Sequence, residues 1–192
     1  EHVPIDIYQT GSGTSSNMNA NEVIAHRAME LVPDLSVKVH PNDHINFGQS
    51  SNDTFPTALR IAAYLEAKNT LIPALKYLRE TLLKKGAEYS HVVKTGRTHL
   101  MDAMPVTLEQ EFGGYARQIE MGIKRIESAL EQMEELPMGG TAVGTGINTD
   151  PEFPPKFAEE ISKLSGESFR EAENHFEAQS TVDAPVALGA QL

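Results

Sequence analysis

The 192-residue sequence contains no cysteine and no tryptophan. Without cysteine, neither a disulfide framework nor a thiolate metal site can form. Basic side chains are also scarce: 16 Lys and Arg stand against 27 Asp and Glu, a formal net charge of −11. Binding a nucleic-acid backbone needs a positive stripe, and no local Lys/Arg cluster supplies one, so nucleic acid is excluded as a partner. Long apolar runs are missing as well. The longest charge-free stretches, Ile7 to Asn21 and Leu136 to Thr149, are rich in Gly, Ser, Thr and Asn. They are too short and too polar to cross a bilayer, which excludes a membrane partner. β-Branched alternation is scarce, and no internal repeat occurs. The length allows one substantial domain or two small ones.

What is present is helical periodicity. Asn21 to Val32 reads as a short helix, with Val23, Ile24, Ala28 and Leu31 on one side. Pro56 to Gly86 is helical again, with Leu71, Leu75, Leu78 and Leu82 spaced 4, 3, 4 and a kink expected near Thr70 because of Pro73. The clearest pattern is Leu108, Phe112, Tyr115, Ile119, Gly122, Ile126, Ala129 and Met133, a seam of alternating 4 and 3 spacing. Thr107 and Gln110 have the spacing of a capping box at its start. So long a seam suggests packing against other subunits. Pro155 to Leu164 forms a further expected helix, with Phe157, Ile161 and Leu164 inward. The fold class is all-α. The chain opens on Glu1 rather than Met, and Ala184 to Leu192 is apolar and ends without a helix-stop signal, so a piece of a longer polypeptide is expected.

Charge avoids three places, Thr10 to Asn21, His40 to Thr57 and Thr95 to Pro105. Each reads as a loop feeding a helix start, where free N–H groups and a partial positive charge suit an anion. Capping alone also explains Ser, Thr, Asn and Asp before one helix; three such loops favour a shared anionic site. In the third, His99 follows Thr98 and Arg97, and an imidazole there is a candidate acid or base. His40 and His44 are four apart, but Pro41, Asn42 and Asp43 favour a loop over a metal-binding helix. His2, His26, His91 and His175 have no suggestive context. Gly139 to Gly146 lacks the Gly-Lys-Ser/Thr ending of a P-loop, and Gly11-Ser12-Gly13 lacks a third glycine and a preceding strand. Residue patterns alone reach an all-α, oligomeric protein that binds a small anion.

QTGSGTSSNMNANEVIAHRA (Gln9 to Ala28), HPNDHINFGQSSNDTFPT (His40 to Thr57), KTGRTHLMDAMPVTLEQEF (Lys94 to Phe112) and GGTAVGTGIN (Gly139 to Asn148) closely resemble class II fumarase. That family belongs to the aspartase/fumarase superfamily of homotetrameric lyases. The resemblance extends over essentially the whole chain, NHFEAQ (Asn174 to Gln179) included. It implies that residues 1–49 end a mixed N-terminal domain and that 50–192 begin a long central helix bundle. It also implies reversible hydration of fumarate to (S)-malate, with no metal and no organic cofactor. The homotetramer would share each active site between three subunits. Localisation would be cytoplasmic, with the mitochondrial matrix as the alternative.

By the same resemblance Ser12, Gly13 and Thr14 would lie along the substrate, and Ser50, Ser51 and Asn52 would bind a substrate carboxylate. Thr98 would bind substrate and His99 would carry the hydroxyl's proton through the reacting water. Arg97 would be an orienting residue. His40, Pro41, Asn42 and Asp43 would form a second, non-catalytic dicarboxylate site. Aspartase shares the fold and is the alternative, but aspartases typically have Gln where His99 stands, and Thr-Asn-Asp-Ala-Tyr-Pro where this chain has Ser51 to Pro56. The family's Gly-Ser-Ser-x-Met-Pro-x-Lys-x-Asn-Pro loop, whose Ser is the proposed base for the carbon-bound proton, does not occur between Glu1 and Leu192. The chain by itself would then be an inactive helical fragment.

Overall fold

A computed structural model describes all residues except 1, 2, 4, 7, 10 and 35, so His2 and Thr10 lie outside the described residues. Among the described residues the architecture is helical, with two small two-stranded sheets. The chain divides into two compact units, residues 1–63 with 133–185 and residues 64–132 with 186–192.

The first unit opens on helix α1, Thr14–Leu31, which starts seven residues earlier than the apolar pattern suggests. Its buried face is partly polar: Asn17, Asn21 and Ala25 point inward, while Ile24 and Leu31 are exposed. The reason is the turn that α1 packs on. Asn17 and Asn21 each donate Nδ2 to Asn46 Oδ1, at 3.1 and 3.0 Å, so hydrogen bonding replaces apolar burial along this stripe. Asn46 closes a single π-helical turn, Pro41–Ile45, where a loop was expected. Helix α2, Ser51–Glu66, likewise starts before Pro56, which lies inside it and leaves the Asn52 carbonyl without its usual amide donor.

After residue 133 the first unit continues with a two-residue strand β3, Glu135–Leu136, paired in parallel with β4, Arg170–Glu171. Between them lies helix α5, Phe153–Ser165, close to its expected span. Leu164 is a correction: it is exposed, whereas Ala158 and Pro154 are buried. Short helix α6, His175–Ser180, is capped by Asn174, whose Oδ1 accepts from the Phe176 and Glu177 amides. Ala25, Met133, Leu136, Met138, Ala158, Phe169 and Ala178 are buried in this unit.

In the second unit the last turn of α2 passes through a π turn, Ala67–Leu71, into α3, Ile72–Glu88. The wide turn falls just before Pro73, which lacks the N–H needed to continue an α-helical ladder. Strands β1, Val93–Thr98, and β2, Met101–Thr107, then form an antiparallel hairpin across what the sequence suggests is a loop. Helix α4, Leu108–Leu130, follows and packs along α3. Gly86 marks a close approach, since an added Cβ would sit 3.4 Å from Glu109 Cα and Phe112 Cβ. The buried stripe of α4 is Ala116, Ile123, Ile126, Ala129 and Leu130; Phe112 and Ile119 are half-buried and Tyr115 is exposed. Leu78 is exposed as well. Helix α7, Asp183–Gly189, ends the chain's regular structure.

The capping box at the start of α4 is complete. Thr107 Oγ1 accepts from the Gln110 amide at 3.2 Å, and Gln110 Oε1 accepts from the Thr107 amide at 3.0 Å. Thr107→Ala should therefore lower stability by about 1 kcal/mol, while Thr107→Ser leaves it unchanged, as read from urea unfolding midpoints.

Candidate active site

The centre of the site is the start of α2. Ser50 caps it: its carbonyl accepts from the Thr54 amide at 2.9 Å and its Oγ from the Asn52 amide at 3.2 Å. Asp53 returns the bond, its Oδ1 accepting from the Ser50 amide at 2.9 Å. The Asp53 side chain makes the return half of a capping box at Ser-x-x-Asp spacing, while Ser50 Oγ takes the amide one residue earlier, that of Asn52. Asp53 is wholly buried, and its second oxygen faces the other way. Oδ2 accepts from the amides of Gly139 at 3.1 Å and Thr141 at 2.8 Å. One carboxylate thus ties the Ser50–Asn52 turn to the glycine-rich segment 139–146.

That segment is shaped for close contact. Gly139 and Gly140 have no room for a side chain, because an added Cβ would lie 2.1 Å from Pro154 Cγ and from Gln179 Oε1, respectively. Gln179 Nε2 donates to the Thr141 carbonyl at 2.7 Å. Asn52 Nδ2 donates to the neighbouring Ala142 carbonyl, also at 2.7 Å. Thr141 has φ 57°, a left-handed conformation that is rare for a β-branched residue, and its buried hydroxyl has no partner among the described residues. Hence part of the donor set that looked available from sequence is bound into the scaffold.

The Gly11–Thr14 loop meets this turn. Gly13 precedes α1 with φ 68°, and Thr14 Oγ1 lies 3.2 Å from Ser51 Oγ and 3.4 Å from Ser12 Oγ. Ser12, Ser51 and Asn52 line a cleft of about 750 Å³ together with Phe55, Ala142 and Gln179. Its volume suits a small ligand. The structure therefore brings Ser12, Gly13, Thr14, Ser51 and Asn52 together, with Ser50 as their cap. Neutral hydroxyl and amide groups at the starts of two helices can hold a carboxylate without a formal positive charge.

Pro41, Asn42 and Asp43 lie in the π turn, and His40 caps its start. His40 Nδ1 accepts from the Asp43 amide at 3.1 Å, and His44 Nδ1 accepts from the His40 amide at 2.8 Å. Both imidazoles thereby brace their own turn. Among the described residues, no three His, Asp or Glu side chains are grouped as a metal site.

Thr98 and His99 belong to the second unit. His99 and Leu100 form the two-residue turn of the hairpin, at φ 51° and 62°. Positive φ at both central positions matches the twist of the flanking strands, although Asn-Gly is the usual occupant. His99 is exposed and Leu100 almost completely so. Arg97 Nε pairs with Asp102 Oδ1 at 3.2 Å, across the hairpin, which gives it a bracing role. Lys94 Nζ donates to both oxygens of Glu111 at 2.9 Å, joining the hairpin to α4. Those hydrogen bonds hold the Glu111 carboxyl below its ordinary range, so the tie is intact at neutral pH and is lost as pH falls through that lowered value.

Asp53, Thr141 and Gln179 were missed by residue-type reasoning. Only Asp53 had a legible signal, its capping-box spacing from Ser50. Thr141 and Gln179 become visible only through contacts 88 and 38 residues away in sequence.

The family profile described as lyase matches residues 1–192. A class II fumarate hydratase of Corynebacterium glutamicum is 61% identical over 184 residues, which are 95% of this chain and 38% of that protein. The mitochondrial fumarate hydratase of Saccharomyces cerevisiae is 53% identical over 194 residues, covering the whole chain and 40% of the relative. The crystal structure of a recombinant class II fumarase from Schistosoma mansoni superposes with a TM-score of 0.92 at 39% identity, over 98% of this chain and 43% of the other. The chain therefore spans about two fifths of the length of the curated relatives it matches.

Gly13 is as tightly enclosed as Gly139: an added Cβ would come within 2.1 Å of the Phe55 ring and would stand in a left-handed backbone. Gly13→Ala should cost about 2–4 kcal/mol, from overpacking and backbone strain together. A thermal midpoint that stays unchanged would show that the loop is not held against Phe55.

Proposed function

We propose, on the premise that the chain belongs to the lyase family, that it is the substrate-binding and acid–base portion of a class II fumarate hydratase. The observation that carries the reading is the convergence of Ser12, Ser51 and Asn52 on one cleft, with Thr14 joined to Ser51 by a 3.2 Å contact. The names of the relatives support fumarate and (S)-malate as the substrate pair.

In the malate-to-fumarate direction a base removes a proton from C3 and the hydroxyl leaves C2, with the C3 electron pair becoming the double bond. Negative charge builds on C3 and spreads into the adjoining carboxylate. Fixed donors aimed at that carboxylate stabilise this charge more than they stabilise the ground state. Ser51 and Asn52 at the start of α2 are such donors, and Ser12 and Thr14 flank them. His99 gives a proton to the departing hydroxyl, which leaves as water, and takes it back in hydration. The C3 base is assigned to a segment of the parent protein outside residues 1–192.

Active sites shared between three subunits of a homotetramer are part of the proposal, as is a second dicarboxylate site at His40 to Asp43. The division into a domain ending at residue 49 and a bundle domain beginning at residue 50 goes with it. Exposure of His99 on a hairpin tip supports its use by a neighbouring copy. None of the helices among the described residues is long and apolar enough to cross a membrane. Placement in the cytoplasm, or in the mitochondrial matrix, is likewise proposed; the yeast relative is named as mitochondrial.

His99→Asn in the full-length parent should lower kcat by ~10²–10⁴-fold and leave KM within about threefold, because the lost proton transfer belongs to the transition state. Fumarate absorbance follows the reaction. An unchanged kcat removes His99 from the mechanism, and a wild-type parent that does not hydrate fumarate removes the function.

A further inference from the structure

Within the first unit the side chain of Asn52 is exposed, yet its amide has a defined direction. It is set by one hydrogen bond among the described residues, from Nδ2 to the Ala142 carbonyl at 2.7 Å. Ala142 in turn follows Thr141, whose amide is held by Asp53 Oδ2 at 2.8 Å and whose carbonyl is held by Gln179 at 2.7 Å. The left-handed backbone at Thr141 needs its surroundings to fix it, and those two bonds act on the residue directly. Meanwhile Asp53 Oδ1 holds the Ser50 amide, two residues before Asn52 on the other side of the same contact.

We propose that Asp53 is a positioning residue of the dicarboxylate cleft: through the Gly139 and Thr141 amides it places the Ala142 carbonyl that orients the Asn52 amide. The kinetic consequence rests on the hydratase reading of the cleft; the geometric one does not. A carboxylate is required because donors arrive on both oxygens, the Ser50 amide and the Thr54 hydroxyl on Oδ1 and the two loop amides on Oδ2. Asparagine has one acceptor oxygen. In one flip its NH2 group faces Gly139 and Thr141 and releases the loop; in the other it faces the Ser50 amide and releases the cap. Either way the two walls that meet at Asn52 lose their common anchor.

The test is a double-mutant cycle in the full-length parent, combined with a crystal structure of the Asp53→Asn variant. In the wild-type background Asp53→Asn should lower kcat/KM by ~10–100-fold, carried mainly by kcat, as a misplaced positioning group does. In an Asn52→Ala background the same substitution should cost less than about threefold, because the group through which Asp53 acts is already gone. Equal costs in both backgrounds, or a loss carried by KM alone, would overturn the proposal. In the crystal structure the Ala142 carbonyl should lie out of hydrogen-bond reach of Asn52 Nδ2; retention of that bond would overturn it as well. If Asp53→Asn does not fold, Gln179→Met frees the Thr141 carbonyl on the same segment and should couple to Asn52→Ala in the same way, with simple additivity as the contradicting result. A wild-type parent without fumarate turnover would refute the hydratase reading and leave the crystallographic arm to decide the role of Asp53.

Discussion

A carboxylate with no access to water is costly unless donors replace its hydration, and Asp53 is such a group. Three backbone amides and the Thr54 hydroxyl supply the replacement. Hydrogen bonds to a charged group are worth about 1.5–3 kcal/mol each, so removing a donor and leaving the charge in place is far more damaging than losing a surface pair. This mutual dependence links two segments some 90 residues apart in sequence. One is the cap of α2 and the other the glycine-rich turn after β3. The cleft of the first unit lies where they meet.

The glycine-rich segment shows why the anchor is needed. Thr141 is held in a left-handed conformation, and Gly139, Gly144 and Gly146 adopt positive φ around it. Backbone turns at Gly140, Gly144 and Gly146 shape this path from within. Asp53 and Gln179 fix it from outside, and Pro154 and Gln179 press on glycines that have no Cβ to resist. Strain of about 1–3 kcal/mol at a residue of this kind persists only when its surroundings over-determine the backbone. A cleft lined by neutral donors can then be rigid although its walls are loops and helix ends.

Much of this was legible from sequence, with instructive exceptions. Long helical periodicity around α3 and α4 was readable because tertiary packing repeats every three or four residues, and the Thr107–Gln110 box marked the α4 start. The α1 start was misplaced because Asn17 and Asn21 look like loop residues until their partner Asn46 is in view. Asn46 lies 29 and 25 residues away from them, beyond the reach of any local window. The β1–β2 hairpin was hidden for a different reason: its turn uses His99-Leu100 in place of the Asn-Gly that normally announces such a turn. Ser12, Gly13, Thr14, Ser51 and Asn52 were named by the resemblance, and the structure brings them together. The residue that ties their two walls together is Asp53, which residue type alone would assign to ordinary capping.

Amide hydrogen exchange at Gly139 and Thr141 in the intact parent protein, without substrate, tests the central claim most directly. If the Asp53 carboxylate organises the cleft, both amides exchange as slowly as those of the α2 interior, although they lie in an irregular segment. Exchange at the rate of the exposed neighbours Val143 and Ile147 would contradict the account.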